Sequence, residues 1–156
     1  MRIVLDTNIL ARAATGPGGP AGELLRRVLK DELLVLSPFL ITELSRVLRY
    51  PRVRAMHEWD DTRIDGYVHD LQAASCIVLP MDPVPAIVPN DPDDDEVIAA
   101  AVAGQANVIC TLDRHLLHPD VREHCNEIGV RILTDIELLN ELREKDPETT
   151  TPGSPS

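Results

Sequence analysis

Short, largely apolar runs punctuate this chain at Ile3-Val4-Leu5, Leu33–Leu36, Cys76–Leu79, Asn107–Cys110 and Val130–Leu133, with Asn107 and Arg131 their only polar residues. Each run is three to four residues long with no polar alternation, the pattern of a strand buried on both faces. Between them, apolar residues recur at helical spacing. Leu24, Leu25, Val28 and Leu29 follow the Gly16–Pro20 loop, and Leu40, Ile41, Leu44, Val47 and Leu48 follow Ser37-Pro38. Ser37 is a natural N-cap and Pro38 a natural first helical residue. Pro51 marks a break, and further helices are expected over 61–75, over Val97–Gly104 and over about 135–144. Strands alternating with helices predict an α/β fold in which helices cover both faces of a parallel sheet of about five strands. Ligands of such sheets bind beyond the carboxyl ends of the strands, at a topological switch point. Asp6 and Asp113 follow strand ends directly. The expected organisation is one domain over 1–145 and a Pro/Thr/Ser-rich disordered tail over 146–156.

Composition changes this picture in three places. The chain has four aromatic residues, Phe39, Tyr50, Trp59 and Tyr67, so its core is aliphatic, and an RNA reader built on stacked aromatics is disfavoured. Cys76, Cys110 and Cys125 are widely spaced with no CxxC, which argues against a zinc site and a disulfide framework. No apolar run approaches the ~20 residues of a membrane span, and MRIVLD passes straight into a strand-like run. A reduced, cytoplasmic protein without signal peptide or membrane partner is expected. The net charge of −11 argues against nucleic acid until the chain is divided. Residues 1–54 hold nine Lys and Arg against five acids, and residues 55–156 hold six against twenty-one. The first part is therefore basic, and some of the acidity sits in one short motif.

That motif is Asp91-Pro92-Asp93-Asp94-Asp95. Asp91 as N-cap and acids in the first turn complement a helix dipole. Four carboxylates within five residues also repel one another, which points to a cation. Ile98 lies three residues after Asp95 and four after Asp94, so either acid can face the strand ends. Asp6 and Asp113 are each open to two readings, helix cap or site residue. Glu43 lies about 40° beyond Val47 on the wheel of its helix, bordering the buried face; it can serve a site or pair with Arg46. Carboxylates gathered without a His or Cys pattern suit Mg²⁺ or Mn²⁺. His115 and His118, an HxxH pair, read as surface residues because a zinc site needs more ligands.

Four segments, VLDTNIL (4–10), LSPFLITELSRVL (36–48), DPDDDEVIAAAVAGQANVICTLD (91–113) and RILTDIELL (131–139), together resemble the PIN-domain ribonucleases. The resemblance is greatest to the VapC-like toxin components of toxin–antitoxin systems. It covers residues 1–143 and implies a three-layer α/β/α sandwich with a central parallel sheet. It further implies an acidic quartet of Asp6, Glu43, an aspartate of the 93–95 run, and Asp113, with Asp6, that aspartate and Asp113 as metal ligands. The D-x-x-I-A form of the motif favours Asp95, and the related DPDD form makes Asp94 its competitor. Asn8 and Thr111 match supporting polar positions, whereas Leu112 stands where a glycine is common. The implied activity is that of a Mg²⁺- or Mn²⁺-dependent endoribonuclease toxin, with an RNA substrate, a cognate antitoxin and a homodimeric state. Arg46, Arg49, Arg52 and Arg54, with Arg26 and Arg27, are candidate phosphate contacts or a solvated face. The alternative is a catalytically silent PIN-fold module that binds RNA or protein. A phosphoacceptor receiver domain is disfavoured because neither Lys30 nor Lys145 stands at a strand's carboxyl end.

Overall fold

The structure, a computed structural model, describes residues 1–146. Its element order is β1 (Arg2–Leu5), α1 (Thr7–Thr15), α2 (Pro20–Asp31), β2 (Leu33–Leu36), α3 (Pro38–Leu48), α4 (Pro51–His57), α5 (Asp61–Ala74) and β3 (Cys76–Ile77). It continues through α6 (Pro92–Ala103), β4 (Val108–Cys110), α7 (Pro119–Glu127), β5 (Arg131–Leu133) and α8 (Asp135–Lys145). The five strands form one wholly parallel sheet in the order β3-β2-β1-β4-β5. Consecutive strand residues face opposite sides of a sheet. Ile3, Val4 and Leu5 are all fully buried, as are Val108, Ile109 and Cys110. Both faces of the sheet are therefore covered, and the eight helices among the described residues supply the covering layers.

The sheet order places the switch point between β1 and β4. The chain leaves β1 for β2 and β3 on one side and returns through α6 to β4 on the other. Register holds the two central strands tightly, with Ile3 opposite Val108 and Leu5 opposite Cys110. Asp6 N–H extends the pairing by donating to Cys110 O at 2.9 Å. The helix α6 packs across β1, β2 and β4. Gly104, just past its end, lets it approach closely, since a side chain there would meet Val35 Cγ1 at 2.5 Å. This packing fixes which residues of α6 look toward the strand ends.

The elements differ from the sequence reading in three respects. Pro51 does not only end a helix; it opens α4 as its first residue, with Tyr50 as N-cap. Pro119 likewise opens α7 behind His118. The third strand stops at Ile77 instead of Leu79. Val78 N–H still donates to Leu36 O at 2.9 Å, but Leu79 is 79% exposed and leaves the sheet before Pro80. Asp146, first residue of the expected tail, is the C-cap of α8, and residues 147–156 lie outside the described residues. Among the described residues no helix is long and apolar enough to cross a membrane, and all three cysteines are free.

Candidate metal centre

Asp6 caps a helix and also lines a cleft at the strand ends. It is the N-cap of α1, with Oδ1 accepting from Thr7 N–H at 2.7 Å. Its Oδ2 accepts from Thr111 Oγ1 at 2.7 Å and from Asn8 Nδ2 at 3.4 Å. Thr111 Oγ1 in turn accepts from Asp113 N–H at 2.9 Å, and Asn8 Oδ1 accepts from Leu112 N–H at 3.3 Å. Asn8 and Thr111 thus tie the end of β1 to the end of β4, and Leu112 fits this turn in place of the commoner glycine. Burial raises the Asp6 carboxyl above its ordinary value, and the Asp113 charge adds to this. The Thr111 and Thr7 hydrogen bonds work the other way.

From α3 comes Glu43, half-buried and paired with Arg46 one turn along. From the start of α6 comes Asp94, 5% exposed. Asp6, Glu43, Asp91, Asp93, Asp94 and Asp113 share one cleft of about 230 Å³ with Asn8 and Phe39. Asp95 is the exception among the expected acids. Its Oδ1 accepts from Ile87 N–H at 2.8 Å and from Val88 N–H at 2.7 Å, so its carboxylate braces the preceding loop and does not line the cleft. Of the two aspartates that the sequence leaves in competition, Asp94 lines the cleft and Asp95 does not.

Asp94 is the strained member of the group. Its Oδ2 is a buried oxygen without a hydrogen-bond partner. Burial first, then the adjacent carboxylates of Asp91 and Asp113, push its pKa up to about 9. Asp91 is shifted the other way by its hydrogen bond to His115, whose Nδ1 lies 2.8 Å from Asp91 Oδ2. His115 Nδ1 is also 4.0 Å from Asp94 Oδ2 and 3.9 Å from Asp113 Oδ1. One ligand atom from each of Asp91, Asp94, Asp113 and His115 lies within 4.8 Å of the others. Reading His115 as a plain surface residue missed this contact. His118 does remain apart, accepting from Asp120 N–H at 3.2 Å as the α7 cap. An orphaned buried carboxylate oxygen inside a ring of carboxylates fits a hard divalent cation. Asp6 belongs to the same cleft but not to this tight group.

Most of the basic candidates are partnered. Arg49 binds Asp65 at 2.6 Å and lies 3.4 Å from Asp61. Arg54 binds Asp61 at 2.7 Å, and Arg27 binds Glu23 at 2.8 Å. Arg26 donates to Pro17 O at 2.7 Å. Among the described residues Arg52 makes no ion pair. If the four candidate arginines meet RNA at all, Arg52→Ala should lower the salt-dependence slope of binding by about 1. Arg49→Ala should leave that slope unchanged and cost stability only, less than about 1 kcal/mol for exposed pairs of this kind. Filter-binding titrations across a salt series read both values.

The sheet is parallel and α/β, and carboxylates gathered at its switch point form an acidic cluster that could hold a metal ion. The PIN domain family model matches residues 2–115, from β1 through His115, and the chain belongs to the PIN domain family. Among curated proteins none matches the chain.

Proposed function

We propose that the protein is a divalent-metal-dependent endoribonuclease that hydrolyses RNA phosphodiesters at this acidic cleft. We further propose that it is a homodimeric, cytoplasmic toxin held in check by a cognate antitoxin. The observation that carries the nuclease reading is the convergence of Asp6, Glu43, Asp94 and Asp113 on one cleft, with Asp94 Oδ2 buried and unpartnered. Membership of the PIN family supports the metal and the RNA substrate, and the VapC-like motifs support the toxin role.

Asp94 and Asp113, with Asp91 and His115 beside them, would hold Mg²⁺ or Mn²⁺, and Asp6 would complete the charge balance from the β1 end. When bound, such a cation supplies Lewis acidity toward phosphate oxygens and the attacking water. The chain's own residues do the rest. Thr111 and Asn8 hold the Asp6 carboxylate in one orientation through a hydroxyl and an amide that cannot repel it. Glu43 faces the cluster from α3 and is placed to accept a proton from water at the cleft. Its partner Arg46 stands at the same edge, with guanidinium N–H groups left over for a phosphate oxygen.

The test is cleavage of a mixed-sequence RNA by purified protein with Mg²⁺ or Mn²⁺, with and without EDTA. Internal cuts that need the metal are expected. RNA binding without cleavage under any divalent ion would instead identify the silent binding module, and cleavage untouched by EDTA would remove the metal from the account.

A further inference from the structure

A second and larger cavity, of about 580 Å³, adjoins the acidic cleft. One wall is the segment 86–89, pinned through its Ile87 and Val88 N–H groups to Asp95 Oδ1. The opposite wall is formed by His115, His118 and one face of α7 carrying Asp120, Val121 and His124. His115 links the two spaces: it lines the cavity, and its Nδ1 is bonded to Asp91, which lines the acidic cleft. A group bonded to His115 in the cavity is therefore one side chain away from Asp91.

The lining selects the kind of group. Its volume falls within the roughly 300–1,000 Å³ of small-molecule sites. Among the described residues no Lys or Arg lines it and Asp120 does, which disfavours a phosphate. His118, His124 and Asp120 do not join the set of ligand atoms within reach of one ion, which among the described residues is Asp91, Asp94, Asp113 and His115. Apolar surface from Val88 and Val121, beside three imidazoles that can each donate or accept, suits a planar heterocycle that packs on one face and hydrogen-bonds at its edge. We propose that this cavity receives the base of a nucleotide adjacent to the bond presented to the acids, and thereby selects the RNA sequence that is cut. The identity of the occupant rests on the nuclease reading. It also gives Asp95 a positioning role, since that carboxylate holds one wall of the cavity in place.

Titration of each of the four ribonucleosides into the full chain in EDTA, followed by NMR of the five histidine rings, tests the cavity without any cleavage. The ring signals of His118 and His124 are expected to shift saturably with at least one nucleoside, while those of His57 and His69 stay in place. Ala86→Leu, which fills the mouth, and His124→Ala, which removes an edge partner, both alter exposed positions. Each should weaken these shifts. Each should also lower by about tenfold or more the preference between RNAs differing at one base. Rings that stay unmoved with all four nucleosides, or that move no more than His57 and His69, overturn the proposal. Nucleoside binding by a chain that cuts no RNA overturns the nuclease reading and leaves the cavity standing. Cleavage without base preference, unchanged in both variants, does the reverse.

Discussion

Asp94→Asn is expected to abolish RNA cleavage and, in EDTA, to make the protein more stable than the parent. The two effects share one cause. In the folded metal-free chain Asp94 keeps its proton up to about pH 9, whereas its ordinary value is 3.8. The native state thus binds one more proton than the unfolded state between these limits, and linkage makes stability fall as pH rises through that window. The contribution is fully present below about pH 4 and lost above about pH 9. An amide carries no charge at any of these values, so the variant's advantage should be small near pH 4 and grow toward pH 9. Replacing a carboxyl that must take up a proton to be buried here by an amide that needs none should recover about 1–3 kcal/mol at pH 8, or several degrees at about 2–4 °C per kcal/mol. Loss of a metal-holding carboxylate should cost cleavage more than the roughly 10–100-fold typical of groups that only support ligands. Thermal unfolding across pH in EDTA, with a cleavage assay at pH 8, reads both. A variant less stable than the parent at pH 8 would contradict the strained-acid account.

The neighbouring substitution should behave in the opposite way. Asp95→Ala deletes the acceptor of two backbone N–H groups, one of them on buried Val88. Hydrogen bonds to a charged group contribute about 1.5–3 kcal/mol each, and part of that is recovered where water reaches the freed Ile87 N–H. A destabilisation of about 2–4 kcal/mol is expected, together with a retained rise in melting temperature when Mn²⁺ is added. Adjacent aspartates would then differ in the sign of their effect on stability and in their effect on metal binding. Loss of the Mn²⁺ response in Asp95→Ala would return Asp95 to the acidic site.

The contrast between these two residues also marks where the sequence stops being informative. The five strands are legible because Ile3–Leu5, Leu33–Leu36 and their counterparts are short, largely apolar runs alternating with helical patterns, as a doubly covered sheet requires. Asp6, Asp113 and Glu43 were traceable to the cleft because strand ends and a helical wheel locate them without tertiary knowledge. Asp94 and Asp95 were not separable, because both lie within a turn of Ile98. The choice depends on the seat of α6 against Val35 and on the amides at 87–88. His115 joins the acids through Asp91, which lies 24 residues earlier, and no local pattern encodes that contact. Helix α4 escapes the pattern for a simpler reason. Pro51 reads as an interruption, although the same missing N–H suits the first position of a new helix. The arginines illustrate a further limit, since composition shows a basic segment but not that Asp61 and Asp65 neutralise Arg49 and Arg54.

The central claim is that Asp94 and Asp113 hold a divalent cation on the folded chain. Calorimetric titration of Mn²⁺ into the parent protein and into Asp94→Asn, Asp113→Asn and Asp95→Ala at matched ionic strength tests it most directly. A saturable site is expected in the parent and in Asp95→Ala, and its loss or marked weakening in the other two. At 100 times the dissociation constant that site should add about 2.7 kcal/mol of stability to the parent. No saturable Mn²⁺ binding by the parent, or equal binding by all four proteins, would contradict the account.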